Sequence, residues 1–283
     1  FESNRSGQED LWLMERPGRE PRQITFGSNR EFMESVSAEG DAVIFSEVLE
    51  GASLFSFDLR TGRRSQLTAE NKRDVTPSVS EDGVLAFARV SAASSYPWTQ
   101  SAVLLGAPID GRLGDPRVVL REGFNPLLSP NGKWLAYLLL QGPEATPRLN
   151  LLNLENAHAR EIAEMPQSSR NFMAFPWYFG MRDFQWSSRN ELWFVQGSTR
   201  EGSRILRVDP AQGAARPVSV LKPGETASSL TPTRDESRLF YVRSESGKPG
   251  GSVQEFAAGR ESTRFAVTTG ALAILGRAGP ALI

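Results

Sequence analysis

The chain has 283 residues, 39% hydrophobic and 23% charged, the balance of a globular chain forming one large domain or two small ones. A formal net charge of −1 excludes the strong field that draws proteins to nucleic acid or to an anionic membrane. The absence of cysteine excludes disulfides, thiolate catalysis and thiolate metal sites.

In chain order, the first predicted strands are LWLM at Leu11 and PRQIT at Pro21–Thr25, separated by the turn residues ERPG. A hairpin follows at Ser35–Phe45, SVSAEGDAVIF, then LFSF at Leu54, the turn DLRTG and RSQLT at Arg64–Thr68. The same order returns with SVSEDGVLAF at Ser78–Phe87, an insertion SAASSYPWTQ at Ser91–Gln100, and AVLL at Ala102. It returns again with PLLSPNGKWLAY at Pro126–Tyr137 and LNLLNL at Leu149. After a second insertion, PQSSRNFMAFPWYFG at Pro166–Gly180, come FQWSSRNELWF at Phe184–Phe194 and RILRV at Arg204. The last copies are SLTPTRDESRLFY at Ser229–Tyr241 with VQEF at Val253, and AILGRAGPALI at Ala273–Ile283.

Only the frame recurs: a small or apolar strand, two to four turn residues, and an apolar strand. The turns carry EG, DG, NG, RN, DES or AG, so no acid keeps its place. Asp-Gly and Asn-Gly suit tight hairpins that need positive φ, which makes EDG a bend rather than a carboxylate site. The inner hairpins span about 31–45, 74–87, 123–137, 181–194, 226–241 and 270–283. Four strands per unit of roughly 45 residues, with no amphipathic helix, is the signature of propeller blades. The expected fold is all-β: a single domain over residues 1–283, a six-bladed propeller with four antiparallel strands per blade. The first unit lacks an inner strand and the last lacks its outer ones. The N- and C-terminal strands are therefore expected to share one blade, so that the termini meet and close the ring.

FESNRSGQEDLWLMERPGREPRQIT, TPSVSEDGVLAF and NPLLSPNGKWLAY together resemble the TolB-type propeller repeat, strongly in the first three copies and weakly in the last three. The resemblance does not extend to the smaller N-terminal α/β domain of TolB. It implies fold more than function. Proteins of this kind include periplasmic TolB of the Tol–Pal envelope system, which binds partner proteins. Others are sensor domains of bacterial signalling proteins and the propellers that precede prolyl-oligopeptidase-type hydrolase domains.

No catalytic constellation stands out. The single histidine, His158, falls in a turn-like context between two strands, and no G-x-S-x-G elbow, phosphate-binding loop or dinucleotide fingerprint occurs. No cofactor and no zinc-type metal site is expected. Glu31, Asp74 and Asp183 lie at or near starts of inner strands, which in a propeller point toward the central channel. Their carboxylates are the candidate ligands of a structural cation there.

The two insertions are the stronger functional lead, since connections this long usually carry function. Tyr96 and Trp98 lie in the first; Phe172, Phe175, Trp177, Tyr178 and Phe179 lie in the second, flanked by Arg170 and Arg182. Aromatic residues and arginine are enriched at protein-binding hot spots. In a propeller both connections open on one face, and the alternative to a binding role is that the rings plug the channel mouth. The sequence thus reads as a non-catalytic scaffold that binds a protein partner in the bacterial envelope or periplasm, without nucleic acid and without a membrane span. The alternative is the gating, sensor or ligand-binding propeller of a larger hydrolase or signalling protein. A downstream nucleophile elbow, or an upstream membrane span or DNA-binding helix, distinguishes those cases.

Overall fold

The computed structural model describes residues 2–266, apart from residues 4, 8–9, 15–18, 27–29, 38–39, 49–51, 70–71, 92–100, 110, 141–145, 166–182, 199, 247 and 249–250. Among the described residues every regular element is a strand. The chain divides into two compact units. One comprises Phe1–Ala145, Asn150–Arg160 and Met173–Gly180; the other comprises Thr146–Leu149, Glu161–Phe172 and Met181–Ile283.

The strands β1 (Glu2–Ser3), β2 (Asp10–Leu13) and β3 (Arg22–Gln23) form a three-stranded sheet in that order. The inner strand expected to complete it, at 270–283, lies outside the described residues. Next come β4 (Arg30–Val36), β5 (Ala42–Val48), β6 (Ala52–Asp58) and β7 (Arg64–Gln66), a four-stranded antiparallel meander. The third sheet runs β8 (Asp74–Val79), β9 (Leu85–Val90), β10 (Ser101–Gly106) and β13 (Arg117–Leu120). Between its last two strands sits a small hairpin of β11 (Pro108–Ile109) and β12 (Arg112–Leu113), where the sequence predicts only a turn. The Leu113 N–H donates to the Leu67 carbonyl at 3.1 Å, so this hairpin reaches back to the preceding sheet.

Three more four-stranded sheets repeat the order. They are β14 (Phe124–Leu128), β15 (Trp134–Leu139), β16 (Arg148–Asn153) and β17 (Ala159–Glu164); β18 (Phe184–Trp186), β19 (Leu192–Ser198), β20 (Gly202–Val208) and β21 (Ala215–Val220); and β22 (Glu225–Pro232), β23 (Arg238–Glu245), β24 (Ser252–Ala257) and β25 (Arg260–Ala266). Among the described residues, antiparallel hairpins pair β4 with β5, β8 with β9, β14 with β15, β18 with β19 and β22 with β23.

Those five hairpins close in the same way. In SAEG, SEDG, SPNG, SSRN and TRDE the N–H of the fourth residue donates to the carbonyl of the first, at 2.9–3.1 Å. The fourth residue is left-handed in every copy: Gly40 (φ 72°), Gly83 (82°), Gly132 (67°), Asn190 (62°) and Glu236 (56°). Glycine and asparagine adopt that region at little cost, which is why they punctuate the frame. The leading Ser or Thr accepts N–H groups across the turn: Ser129 Oγ from Trp134 at 3.0 Å, Thr233 Oγ1 from Arg238 at 3.1 Å. Asp82 accepts from the Ser80 hydroxyl. EDG is therefore a bend, as its changing residues predict.

Each strand presents its two faces to two different neighbours. Val43 and Phe45 pack with Leu11, Ile24 and Phe57, whereas Ile44 between them packs with Leu54, Leu85, Phe87 and Leu104. Val103 and Leu105 turn instead to Leu128, Leu135 and Tyr137. In the second unit Trp193, Val195 and Ile205 pack with Leu230, Leu239 and Tyr241. Sheets buried on both faces explain the near-continuous apolar runs, and each large side chain so buried contributes about 1.5–3 kcal/mol.

Candidate functional site

Glu31 and Asp74 occupy equivalent places at the starts of β4 and β8, and both are fully buried. Their surroundings differ. Asp74 faces Arg89 in register across the β8–β9 pair, and the guanidinium donates to both carboxylate oxygens, Nε at 2.6 Å and Nη2 at 2.8 Å. This bidentate pairing holds the Arg89 guanidinium above its ordinary range, the hydrogen bond outweighing burial. Asp74 is thereby committed to a cation supplied by its own sheet.

Glu31 has no such partner. It is opposite Glu47 in the β4–β5 register, but Glu47 is paired with Arg64. That guanidinium also lies 4.1 Å over the Phe55 ring and 5.5 Å over the Phe45 ring. Neither carboxyl oxygen of Glu31 makes a hydrogen bond. Burial, followed by the charge of Asp10, raises its pKa to about 7, with Arg64 pulling the other way. Asp10, at the start of β2, is also fully buried; its Oδ2 accepts from Ser6 and from Gln23 Nε2 (2.9 Å), while its Oδ1 makes no hydrogen bond.

A hydrogen-bonded device recurs in the sheets that carry these acids. Thr25 Oγ1 accepts the Leu11 N–H at 2.8 Å, and Thr68 Oγ1 accepts the Leu54 N–H at 3.0 Å. Gln23 and Gln66 each donate to the carbonyl of the threonine two residues on, both at 2.9 Å. The QIT and QLT motifs thus tie the chain leaving β3 to β2 and the chain leaving β7 to β6.

Asp183 precedes β18 in the second unit and is buried; its carbonyl accepts the Val195 N–H at 2.8 Å. Among the described residues no group of three or more His, Asp or Glu side chains converges in a metal-binding arrangement. Asp10 and Arg64 were not singled out from sequence. Asp10 lies on β2, in another sheet, and no local pattern links it to Glu31. Counting outward from the EDG bend would pair Asp74 with Val90; an irregularity between Val75 and Ser78 shifts the register by one and brings Arg89 opposite Asp74 instead. His158 is exposed at the tip of the β16–β17 hairpin, where its N–H donates to Asn156 Oδ1 at 2.9 Å.

Tyr96, Trp98, Arg170, Phe172, Phe175, Trp177, Tyr178, Phe179 and Arg182 lie outside the described residues. The strands that launch their segments are described. Val90, last in β9, is the register partner of Ser101, first in β10, and both are buried. The Ser101 hydroxyl donates to the Gly123 carbonyl at 2.7 Å, and the Gly123 N–H returns to the Ser101 carbonyl at 3.0 Å. Residues 91–100 therefore connect two directly paired strand ends. The second segment follows β17 and precedes β18, joining the last strand of one sheet to the first of the next.

No family model matches the chain, and no curated protein does. Solved structures are similar to it in fold. TolB from Acinetobacter baumannii superposes with a TM-score of 0.63 at 13% identity, over 92% of this chain and 60% of that one. Oligogalacturonate lyase from Vibrio parahaemolyticus gives 0.64 at 14%, over 93% and 72%. A puromycin-hydrolyzing peptidase from Mycobacterium tuberculosis gives 0.63 at 17%, over 87% and 40%. The chain thus spans 60% of that TolB and 40% of that peptidase. At these identities the likeness is one of architecture: an all-β chain of four-stranded antiparallel sheets with the TolB-like propeller fold.

Proposed function

We propose that the chain is a six-bladed, ring-closed propeller over residues 1–283. In this reading it works without cofactor or catalysis of its own, as a protein-binding platform in the bacterial envelope or periplasm. The observation that carries this reading is the ten-residue connection between the paired residues Val90 and Ser101. A hairpin between directly paired ends needs only two to five residues. The surplus here contains Tyr96, Pro97 and Trp98 on a strand pair held by the Asp74–Arg89 clamp and a buried serine. Rigid strand ends on either side of a connection lower the ordering cost of a contact made through it. Phe175, Trp177 and Tyr178 in residues 166–182 supply a second aromatic contact of the same kind.

The test is capture from a bacterial envelope extract by immobilised protein. Trp98→Ala and Trp177→Ala are each expected to lose most of a specifically captured partner while melting at the wild-type temperature. Unchanged capture by both variants rejects the proposal.

A second reading is favoured by the length relation to the peptidase: this chain matches a part of it. Under that reading the propeller gates a hydrolase domain elsewhere in the same polypeptide. A nucleophile elbow in the complete coding sequence would support it, and a coding sequence without one would remove it.

A further inference from the structure

In the second unit, the sheets β18–β21 and β22–β25 leave between them a cavity of about 290 Å³. Its walls are Trp193, Val218 and Phe256, with Arg207, Glu236 and Arg238 as the charged groups around it. We propose that this cavity is a binding site for a small aromatic carboxylate.

The charge accounting leads there. Glu236 is already used: its Oε1 accepts the Arg189 N–H at 3.0 Å, and its side chain is 5% exposed. Arg207 is engaged by Glu191 at 3.2 Å and lies 5.8 Å from the Trp193 ring centre. Arg238 is different. Its nearest carboxylate, Glu255, is 3.9 Å away, beyond hydrogen-bond reach, and Glu255 is itself bonded to Arg264. Among the described residues the Arg238 guanidinium forms no hydrogen bond; it lies 5.6 Å from the Phe240 ring centre, and its side chain is half exposed. It presents a planar set of donors suited to a carboxylate.

The remaining walls choose the body of the ligand. Trp193 and Phe256 offer aromatic surface and Val218 an aliphatic one. The volume falls just below the roughly 300–1,000 Å³ of typical ligand pockets, which limits the body to one or two rings. Ring against Trp193 and Phe256, carboxylate on Arg238, is the arrangement these groups accommodate.

Calorimetric titration with 2-naphthoate, and with its uncharged isostere 2-naphthamide, tests the site on the intact chain. Saturable binding of naphthoate is expected, with the amide weaker by about tenfold or more, as loss of a charged hydrogen-bonded pair implies. Arg238→Gln is expected to bring naphthoate down to the amide's level without moving the melting temperature, and Val218→Trp to abolish binding of both by filling the cavity. Absence of saturable naphthoate binding, equal binding of the two probes, or wild-type affinity in Arg238→Gln would each overturn the proposal.

Discussion

The carboxyl of Glu31 is buried within electrostatic reach of the carboxyl of Asp10, two acids on strands of adjacent sheets, with Glu47 and Arg64 as the other charged groups around them. Burial and like charge both favour the protonated form of Glu31. Arg64 is largely occupied by Glu47, so it offsets only part of that effect.

The pH dependence follows with a definite sign. The folded-state pKa of Glu31 is raised from 4.5 to about 7, so its folded form holds a proton that the unfolded chain releases. The resulting stabilisation is complete below about pH 4.5 and disappears as pH rises through 7. Glu31→Gln, neutral at every pH, is expected to remove this slope and to be more stable than wild type at pH 8 by about 2 kcal/mol. Urea denaturation at pH 5, 6.5 and 8 measures it; parallel pH profiles for the two proteins would contradict it.

Asp74 and Arg89 make the opposite case, a buried acid fully paired. Arg89→Ala leaves that carboxylate without its partner and is expected to cost about 3 kcal/mol. Replacing both residues by leucine is expected to cost less than Arg89→Ala alone, since no buried charge is then stranded. If calcium ions restored the stability of Arg89→Ala but left wild type unchanged, Asp74 would be acting as a latent cation ligand.

The hairpin turns offer a prediction free of side-chain chemistry. A Cβ at Gly83 would meet nothing within 4 Å, yet its φ is 82°. Gly83→Ala is thus expected to destabilise by about 1–2 kcal/mol through backbone strain alone. Asp82→Ala should lose under about 1 kcal/mol and leave partner capture intact, because Asp82 serves the turn. Chemical denaturation of both variants checks the difference.

The frame was legible because its signals are local. A serine or threonine, a left-handed fourth position and an apolar strand lie within ten residues, so the five hairpins among the described residues could be placed by pattern. The double-sided apolar runs followed from the same logic, since Val43 and Ile44 serve different interfaces. The β11–β12 hairpin escaped because it is held by a distant carbonyl, that of Leu67. The Asp10–Glu31 pair escaped for a related reason: stacking of sheets, rather than spacing along a strand, brings those acids together. The Arg238 cavity also arises between sheets, where Arg238 and Phe256 of one sheet face Trp193 and Val218 of another with no motif linking them in sequence.

Replacing residues 91–100 by Asn-Gly tests the functional account most directly. Val90 and Ser101 are already paired, and Asn-Gly closes such ends in a two-residue turn. Shortening the connection is expected to leave stability unchanged or raise it by roughly 1 kcal/mol, while capture of the protein partner is lost. A variant that folds as well as wild type and still captures that partner would contradict the role assigned to the aromatic connection.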